Sequence, residues 1–564
     1  MSANRSPVHA AALLSVILAG AAALSACSSK DTGKTGSANP AAPASVSNTR
    51  GKITSTVYDR GAVEPSEGTM TDNRWTKWIN QKGPVDVAFV SVPRWESAQK
   101  LNALFASGSA PDLIMEYDSV IKNQLYNQKQ LLPLDNYIKD STVYKKILEQ
   151  YPTLRKVGTK DDGKLYEIGK VGDVIPQHIV YIRADWLKKL NLSMPKTLDE
   201  FFAVAQAFAN NDPDGNGKKD TYGANLSFVG GMAIDAIFGT VFNATDKNPW
   251  VLDKDGNLTL GWDRIQAALE FKKKLYDAGI VDKDFLTDGK GDKAKQDFVT
   301  GKLGIWGTNN PEKPAFTALM KNVPDAEVVA LPLPAGPFGT FSPLISNPVS
   351  MNAVVNANAK NPADVIKYID FMMSDEATNA MANGLEGEHY RIGANGCPQV
   401  IDAAKNKREK DYAGDYTMVT SGITGKCAPH NLLLNPVEPV EKTAENLANY
   451  EIEKKLAKAF QSAFDAYLNP SRPIAGVIPN GSLPALPQDL QLNQTNGFKS
   501  AYDILAKSII SGGSYTAEQA IKDAKAAWKT SNGEKIEAYM KDWFQQNKDK
   551  TLLTKDFYSF LEKK

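Results

Sequence analysis

Apolar residues along the first third of this chain recur with two alternating periods, that of a strand and that of a helix. Residues 52–58 alternate one by one, which predicts a strand, and residues 85–92 are an apolar stretch of strand length. Helices are predicted at residues 73–81, which carry two tryptophans, and at residues 99–106. Strands and helices that alternate with short connections favour a mostly parallel α/β sheet.

The alternation resumes in the middle of the chain. Residues 165–183 contain two predicted strands, and a capping box at 197–200 begins a helix that continues over 201–210. Residues 304–306, Gly-Ile-Trp, form a short apolar segment, predicted to be a buried strand whose end faces a cleft. From Thr443 onward, most segments have a helical period.

Length and charge narrow the possible functions. At 564 residues the chain exceeds the usual size of one hydrophobic core, so at least two lobes are expected. Its 65 basic and 64 acidic side chains balance, which leaves no electrostatic footprint for nucleic acid. Three Cys and four His provide little material for a zinc or thiol centre, and the sequence lacks the common serine-hydrolase, zinc-protease and Cys-x-x-Cys motifs.

The N-terminus has the composition of an export signal. Arg5 precedes an apolar run at 10–24 that is too short for a stable membrane-spanning helix. The run ends in Leu-Ser-Ala-Cys, which resembles a bacterial lipobox and predicts that Cys27 becomes the lipidated first residue. An ordinary secretory signal with an incidental Cys is the alternative. Residues 28–50, rich in small and polar side chains, are predicted to be a flexible tether.

Export bears on the two remaining cysteines, because the compartment outside the cell is oxidising. Cys397 and Cys427 form an even pair once Cys27 is modified, so a disulfide between them is expected. Closing their loop of about 30 residues would stabilise the fold by roughly 3–4 kcal/mol. Two unpaired buried thiols are the alternative.

Residues 212–223 have the ligand spacing of a calcium loop. Oxygen atoms from loop positions one, three, five, seven (a backbone carbonyl) and nine are the predicted donors; these positions are Asp212, Asp214, Asn216, Lys218 and Asp220. A glycine stands at position six, where such a loop turns sharply. Position twelve is Gly223 instead of a bidentate Glu, so the loop is an incomplete EF-hand, which predicts one structural Ca²⁺ completed from elsewhere. An Asx- and Gly-rich turn without metal is the alternative.

Several motifs follow one another along the chain in a characteristic order. They are the lipobox at Cys27, residues 104–112, 130–135 and 182–187, the 212–223 loop, residues 301–306, and Gly-Leu-Glu-Gly-Glu-His-Tyr at 384–390. With these motifs the chain resembles the family 1 extracellular solute-binding lipoproteins of carbohydrate ABC importers, particularly the alginate-binding-protein-like type. The resemblance covers nearly the whole chain after the lipobox.

The resemblance implies an α/β fold with two lobes, the periplasmic-binding-protein-like fold of type II, with helical C-terminal additions. Ligand would close the lobes about a hinge. The expected segments are a lipoprotein signal peptide at 1–26, a tether at 27–50, a first lobe at 51–170 and 335–385, and a second lobe at 171–334 and 386–564 that includes the calcium loop and the helical tail.

The implied function is capture of an oligosaccharide between the lobes and its delivery to the permease subunits of an ABC importer, without catalysis. The resemblance places the protein at the extracellular face of the bacterial cell membrane, held there by its lipid anchor, as a monomer with structural Ca²⁺ and no nucleic-acid partner. Two alternatives remain open. One is an exported carbohydrate-active enzyme (a polysaccharide lyase or a glycoside hydrolase), and the other is a calcium-stiffened adhesion protein.

A saccharide site needs aromatic planes for stacking and planar hydrogen-bonding groups at their edges. Trp306 and Asn309, at the end of a predicted strand, are the first candidates, with a core tryptophan as the alternative. Glu116 and Tyr117 directly follow a buried strand, at the carboxyl edge where α/β sheets bind ligands. An acid-rich helix N-terminus is the competing explanation for these two.

Residues of the 384–390 motif and its neighbour provide a second group of candidates. Tyr390 and Arg391 are expected to reach the cleft from the second lobe, where Arg391 would donate hydrogen bonds to a neutral sugar or pair with an acidic one. Trp75 and Trp95 are the further aromatic candidates.

Overall fold

The computed structural model describes residues 50–243, 248–309, 312–439, 441–484 and 486–561 of the chain. The predicted signal peptide, the lipidation site Cys27 and nearly all of the predicted tether lie outside the described residues.

The described strands are short apart from a few long central ones. In chain order they are β1 (Gly51–Asp59), β2 (Val85–Pro93), β3 (Leu113–Met115), β4 (Glu167–Val171), β5 (His178–Arg183), β6 (Tyr222–Ala224), β7 (Trp250–Leu252), β8 (Leu258–Leu260), β9 (Leu303–Asn309), β10 (Val328–Ala330), β11 (Val349–Val355), β12 (Tyr390–Ile392) and β13 (Pro398–Val400).

The described helices are longest in the C-terminal part. They are α1 (Arg74–Lys82), α2 (Ser97–Ala106), α3 (Ser119–Asn127), α4 (Asp135–Ile138), α5 (Tyr144–Gln150), α6 (Pro152–Gly158), α7 (Ala184–Lys189), α8 (Leu198–Asn210), α9 (Val229–Ile237), α10 (Trp262–Asp277), α11 (Asp292–Val299), α12 (Lys313–Asn322), α13 (Pro362–Met372), α14 (Asp375–Asn383), α15 (Ala403–Glu409), α16 (Pro429–Leu434), α17 (Ala444–Tyr467), α18 (Gln488–Ile510), α19 (Ala517–Thr530) and α20 (Gly533–Asn547).

Two sheets organise the fold. One has the order β2-β1-β3-β11-β4 and the other β10-β5-β9-β6; we call each sheet with its core the first and the second lobe. In the first sheet β1 is parallel to β2 and β3, whereas β11 is antiparallel to β3 and β4. In the second, β6 and β9 are parallel and β5 is antiparallel to β9 and β10. The prediction of a mostly parallel sheet is therefore wrong, because β5 and β11, which enter from the other lobe, run against their neighbours.

The register of the first sheet shows where the chain leaves and re-enters it. Val349, at the start of β11, pairs with Val171, at the end of β4. Farther along β11, Ala353 pairs with Met115, at the end of β3. Both connections to the second lobe therefore lie at the edge where β1 and β3 end.

The second sheet has the same arrangement. His178, the first residue of β5, pairs with Asn309, the last residue of β9. Residues 172–177 and 331–348 thus connect the carboxyl edges of the two sheets, and Pro176 pairs with Ile345 between these two connections. In α/β proteins this edge is where ligands bind.

Each sheet has its own hydrophobic core, and helices α18, α19 and α20 complete the core of the second lobe. The lobe boundaries drawn from the sequence remain predictions, apart from one part that is wrong. Residues 411–419, assigned above to the second lobe, pack in the core of the first, where Tyr416 meets Phe89 with ring centroids 5.3 Å apart. The tyrosines of this segment pack in the core of the first lobe. A helical pattern in the sequence does not indicate which core a segment joins.

One ion group is buried inside the first lobe. The side chains of Lys122 and Glu167 are 1% and 6% exposed, and their charged atoms lie 2.7 Å apart. Lys160 also pairs with Glu167, and Lys122 donates to the carbonyl oxygen of Met351. Burial alone would raise the pKa of Glu167, but the two lysines hold it below its usual range.

Candidate ligand-binding cleft

An exposed aromatic platform stands at the carboxyl edge of the first sheet. Trp95, just after β2, is 86% exposed, and Tyr117, just after β3, is 39% exposed. The Arg94 guanidinium lies between the rings, 5.2 Å from the centroid of Trp95, 5.6 Å from that of Tyr117 and 4.7 Å from that of the buried Tyr58. Two exposed rings beside a cation can stack on a flat ligand, and the cation can donate hydrogen bonds to its edge.

Glu116 supports this platform from below and has no exposed surface. One of its carboxylate oxygens accepts hydrogen bonds from the Tyr58 hydroxyl and, at 2.8 Å, from the backbone N–H of Asp118. Burial, and then the bond to Glu116, raise the pKa of Tyr58 well above its usual range. In this arrangement Glu116 positions Tyr58, and its predicted contact with ligand stays a prediction.

Arg94 was missed by the sequence analysis, although it precedes the candidate Trp95. Its neighbour Arg60 pairs with the buried carboxylate of Asp415. Among the described residues Arg94 makes contacts to aromatic rings but no ion pair, so its guanidinium keeps its donors for a ligand. The signal was available, since a cation directly after a strand of an α/β sheet lies at the ligand edge.

A cavity of about 560 Å³ lies along the connections between the lobes. Gln177 and Asn347, one from each connection, line it with exposed side-chain amides. Phe228, which follows β6, adds a partly exposed aromatic ring from the second lobe. Its φ of 45° is a conformation that non-glycine residues rarely adopt, and such positions concentrate at functional sites. No local sequence signal marks Phe228.

Asn309 and His178, paired across the second sheet, also line this cavity. The side-chain carbonyl oxygen of Asn309 is buried and has no hydrogen-bond partner among the described residues. Burial lowers the pKa of His178 to about 4, so its imidazole is neutral at physiological pH. The second lobe thus offers an unpaired acceptor and a neutral imidazole to a ligand, and Asn309 stays a candidate.

Three other candidates from the sequence lie in packing positions. Trp306 is 3% exposed and stacks on Phe298, with ring centroids 4.0 Å apart. Trp75 is 1% exposed and donates through its indole N–H to the Glu409 carbonyl at 2.7 Å. Tyr390 is 5% exposed, and its hydroxyl accepts from the Asn379 amide at 2.8 Å. Their burial leaves these three side chains little surface for a ligand in this arrangement, and their predicted contacts with ligand stay predictions.

Arg391 and the predicted disulfide belong to one small hairpin. Arg391 is exposed on β12, which forms a two-stranded sheet with β13, separate from the sheet whose strands carry the platform. Cys397 and Cys427 are bonded to each other, with their Cα atoms 5.4 Å apart. The bond ties this hairpin to the turn that precedes α16.

The 212–223 loop brings its acidic side chains together around one amide. The Asn216 Nδ2 donates to Asp214 at 2.7 Å and to Asp220 at 3.1 Å, and Asp212 accepts the backbone N–H of Gly217 at 3.0 Å. Partial burial, and then the carboxylates of Asp212 and Asp220, raise the pKa of Asp214. Several carboxylate groups lie near one another here although they repel each other. A set of donors made only of oxygen atoms suits a hard cation. Rotation of the Asn216 amide would turn its oxygen inward as a further donor.

Position twelve of this loop is already part of the second sheet. Gly223 lies in β6, where its N–H donates to the Ile280 carbonyl at 2.8 Å. A Cβ on this residue would stand 2.0 Å from the carbonyl oxygen of Ala205, so no side chain fits. Lys302 instead reaches the loop and pairs with Asp220 at 2.7 Å. The packing of β6 against α8 explains why the EF-hand pattern stops short.

The described residues hold one group of three His, Cys, Asp or Glu ligand atoms within 4.8 Å of one another, and it lies outside the 212–223 loop: Glu388, His389 and Glu409. Arg74 already binds both carboxylates, at 2.9 and 2.8 Å. The His389 Nδ1 accepts the backbone N–H of Leu385 at 3.1 Å. The guanidinium of Arg74 is therefore the cation that neutralises this group, while the His389 Nε2 has no hydrogen-bond partner among the described residues.

Comparison with known proteins places this geometry in a family. Residues 71–379 match the bacterial extracellular solute-binding proteins. Lipoprotein LipO of Bacillus subtilis (strain 168) is 29% identical over 319 residues, which are 53% of this chain and 61% of LipO. The polygalacturonan/rhamnogalacturonan-binding protein YtcQ of the same strain is 28% identical over 397 residues, 66% of this chain and 74% of YtcQ. The match to LipO thus spans less than two thirds of that protein.

A solved structure shares the fold. The S. pneumoniae ABC-transporter substrate-binding protein FusA, as an EF-hand mutant in complex with fructo-nystose, superposes with a TM-score of 0.61 at 18% identity and covers 88% of this chain and 99% of FusA. This likeness confirms the predicted two-lobed periplasmic-binding-protein-like fold. Every helix of the described residues is too short or too polar to cross a bilayer. The family match covers 309 of the 564 residues, and the chain belongs to the bacterial extracellular solute-binding proteins.

Proposed function

We propose that this protein captures an oligosaccharide between its two lobes and delivers it chemically unchanged to an ABC importer. The observation that carries the proposal is the exposed Trp95 and Tyr117 platform with Arg94 at the carboxyl edge of the first sheet. The opposite lobe supplies the unpaired Asn309 oxygen and the ring of Phe228 at the cavity between the connections. A ligand that contacts both lobes favours their closed arrangement, which the importer can recognise.

The relatives support a carbohydrate ligand and a surface location. YtcQ is named for binding polygalacturonan and rhamnogalacturonan, and FusA was solved with fructo-nystose bound. LipO is named as a lipoprotein, which agrees with the lipobox of this chain. We therefore propose that Cys27 is lipidated and that the protein works as a monomer anchored to the extracellular face of the cell membrane.

Removing the exposed indole is the direct test of this site. Trp95→Ala is expected to weaken oligosaccharide binding about 30-fold, because truncation of an exposed aromatic anchor at a binding surface typically costs about 2 kcal/mol. Isothermal titration calorimetry against nystose and against tetragalacturonate, as neutral and acidic probes, measures the effect. Val400→Ala, which truncates another exposed apolar residue on the distant hairpin, should leave affinity unchanged.

Equal affinity of the Trp95→Ala variant and the parent protein for the better probe would contradict the platform. The enzyme alternative predicts a different outcome, the appearance of shorter sugars. Incubating the protein with each probe for hours and separating the products by chromatography distinguishes capture from cleavage.

We also propose that the 212–223 loop binds one structural Ca²⁺ through Asp212, Asp214, Asn216, Asp220 and the Lys218 carbonyl. The convergence of the Asp214 and Asp220 carboxylates on the Asn216 side-chain amide supports this proposal, with Asp212 on the backbone N–H groups of the same loop, as does the existence of an EF-hand in FusA. The position-twelve carboxylate is missing, which favours an affinity near the ~mM range of extracellular sites.

Calcium is therefore expected to raise stability modestly. With a dissociation constant of ~1 mM, 10 mM Ca²⁺ should increase the free energy of unfolding by about 1.4 kcal/mol over the chelated protein, since the ion binds only the folded state. Urea denaturation with and without Ca²⁺ measures the gain. Asp214→Asn should abolish it, whereas Asp255→Asn, on an unrelated exposed turn, should keep it. If neither Ca²⁺ nor chelator changes the free energy of unfolding of the parent protein, the loop is a turn without metal.

A further inference from the structure

A second large depression lies between the lobes, away from the cavity at the connections. It has a volume of about 1140 Å³, above the usual range of a pocket for one small molecule. Helices α2 and α3, which pack on the first sheet, form one wall. Helix α18, which belongs to the core of the second lobe, forms the other. We call this depression the α3–α18 groove.

Carboxamide side chains dominate the lining of the α3–α18 groove. Nine of its lining residues are Asn or Gln, from both walls. Eight of them make no side-chain hydrogen bond within the described part of the chain; these are Asn102, Gln124, Asn127, Gln128, Gln130, Gln488, Gln491 and Gln494. A carboxamide offers two donors and an acceptor in one plane, the combination that pairs with adjacent hydroxyl groups. The free polar groups of the groove therefore suit a polyhydroxylated chain.

The charged groups of the α3–α18 groove are already satisfied within the protein. Asp118 caps α3 by accepting the N–H of Val120 at 2.8 Å. Lys499 pairs with Asp503 at 2.7 Å. Among the described lining residues the cation is Lys499, which already has a carboxylate partner, so the groove favours an uncharged ligand over an acidic sugar.

The α3–α18 groove and the aromatic platform adjoin along the chain at the start of α3. The lining of the groove includes Asp118, the residue after Tyr117, and continues along α3. Phe105 and Tyr502 add partly buried aromatic rings, one from each wall. A chain that stacks on Trp95 and Tyr117 can therefore extend into the groove and contact both lobes again.

We propose that the α3–α18 groove is a second carbohydrate subsite, which binds the uncharged sugar units of an oligosaccharide that extends beyond the platform. This inference rests on the proposed function and adds a length requirement to it. Short ligands use the platform and the cavity alone, and longer neutral ligands gain contacts with α3 and α18.

A length series tests this subsite in the full mature protein. Titration calorimetry compares fructo-oligosaccharides of three to eight units, maltodextrins of the same lengths, and oligogalacturonates as the acidic series. In a neutral series that binds, affinity is expected to rise with length, and the Gln124→Ala, Gln491→Ala double variant should lose about tenfold for the longest member and nothing for the shortest. Gln546→Ala, a matched exposed glutamine on α20, should behave as the parent.

The possible outcomes separate the subsite from the function on which it rests. Affinity that does not change with length, or a length gain that survives in the double variant, would overturn the subsite while the platform remains supported by Trp95→Ala. Binding confined to the acidic series, with the double variant equal to the parent, would overturn it as well. A protein that binds no member of any series would overturn the proposed function and the subsite together.

Discussion

Replacing Glu167 by glutamine is expected to destabilise the protein by about 3–5 kcal/mol, the usual cost of removing one partner from a buried ion pair. The variant keeps the shape of the side chain but leaves the ammonium group of Lys122, 1% exposed, without its carboxylate. Lys122 cannot reach water, and the Met351 carbonyl that it also contacts carries only a partial charge. Urea denaturation at neutral pH measures the loss.

The site of this ion pair makes the prediction relevant to binding. Glu167 begins β4, the strand that carries the chain to the second lobe, and Lys122 lies on α3, one wall of the α3–α18 groove. Glu534→Gln is the control, because its partner Lys529 is 71% exposed and such pairs contribute about 0–1 kcal/mol. A Glu167→Gln variant no less stable than this control would contradict the cost of leaving Lys122 buried without its carboxylate.

The second large effect is a pH dependence that originates at His178. Its pKa is lowered to about 4 by burial, against about 6.5 in an unfolded chain, so between these values the unfolded state binds more protons. The contribution of His178 to the free energy of unfolding is fully present above pH 6.5 and is lost as the pH falls towards 4. The expected loss between pH 7 and pH 4.5 is about 2–3 kcal/mol.

Other groups titrate in the same range, so the measurement must isolate His178. Asp235, whose pKa is raised to about 6 by burial, has the opposite sign: its folded form gains protons, and stability, as the pH falls through 6. We therefore compare the parent protein with His178→Gln at pH 7 and pH 4.5. The stability difference between them should shift by about 2–3 kcal/mol in favour of the variant at the lower pH. A difference that is equal at both pH values would contradict a buried neutral imidazole.

Local patterns in the sequence predict the elements of this fold well. The capping box of α8 forms as expected, with the Thr197 hydroxyl accepting from Glu200. The order of strands and helices can also be predicted, because periodicity depends on neighbouring residues. The two-lobed architecture can be predicted from the order of the motifs along the chain. The direction of each strand within its sheet cannot be predicted from local patterns, because β11 takes its place between β3 and β4 only after the chain has returned from the other lobe.

In the candidate site, some residues could be predicted from the sequence and others could not. Tyr117 could be selected because it lies just after a strand, a local property, whereas Trp95 was a candidate only as an aromatic residue. Trp306 ends the predicted strand but lies in the middle of β9, where its ring faces Phe298 of α11, and sequence does not state which face of a strand a helix will cover. Phe228 and the α3–α18 groove depend on an unusual backbone angle and on helices more than 350 residues apart, for which no local signal exists.

The position of β11 has a consequence for biogenesis. Because the first sheet is interrupted between β3 and β4 until residues 349–355 arrive, an N-terminal portion of the chain emerging from the export machinery exposes unpaired strand edges. Folding must therefore wait for most of the polypeptide to be translocated, and such distant pairing is intrinsically slow. A chain of this topology should depend on extracytoplasmic chaperones more than one whose lobes are each encoded by a continuous stretch.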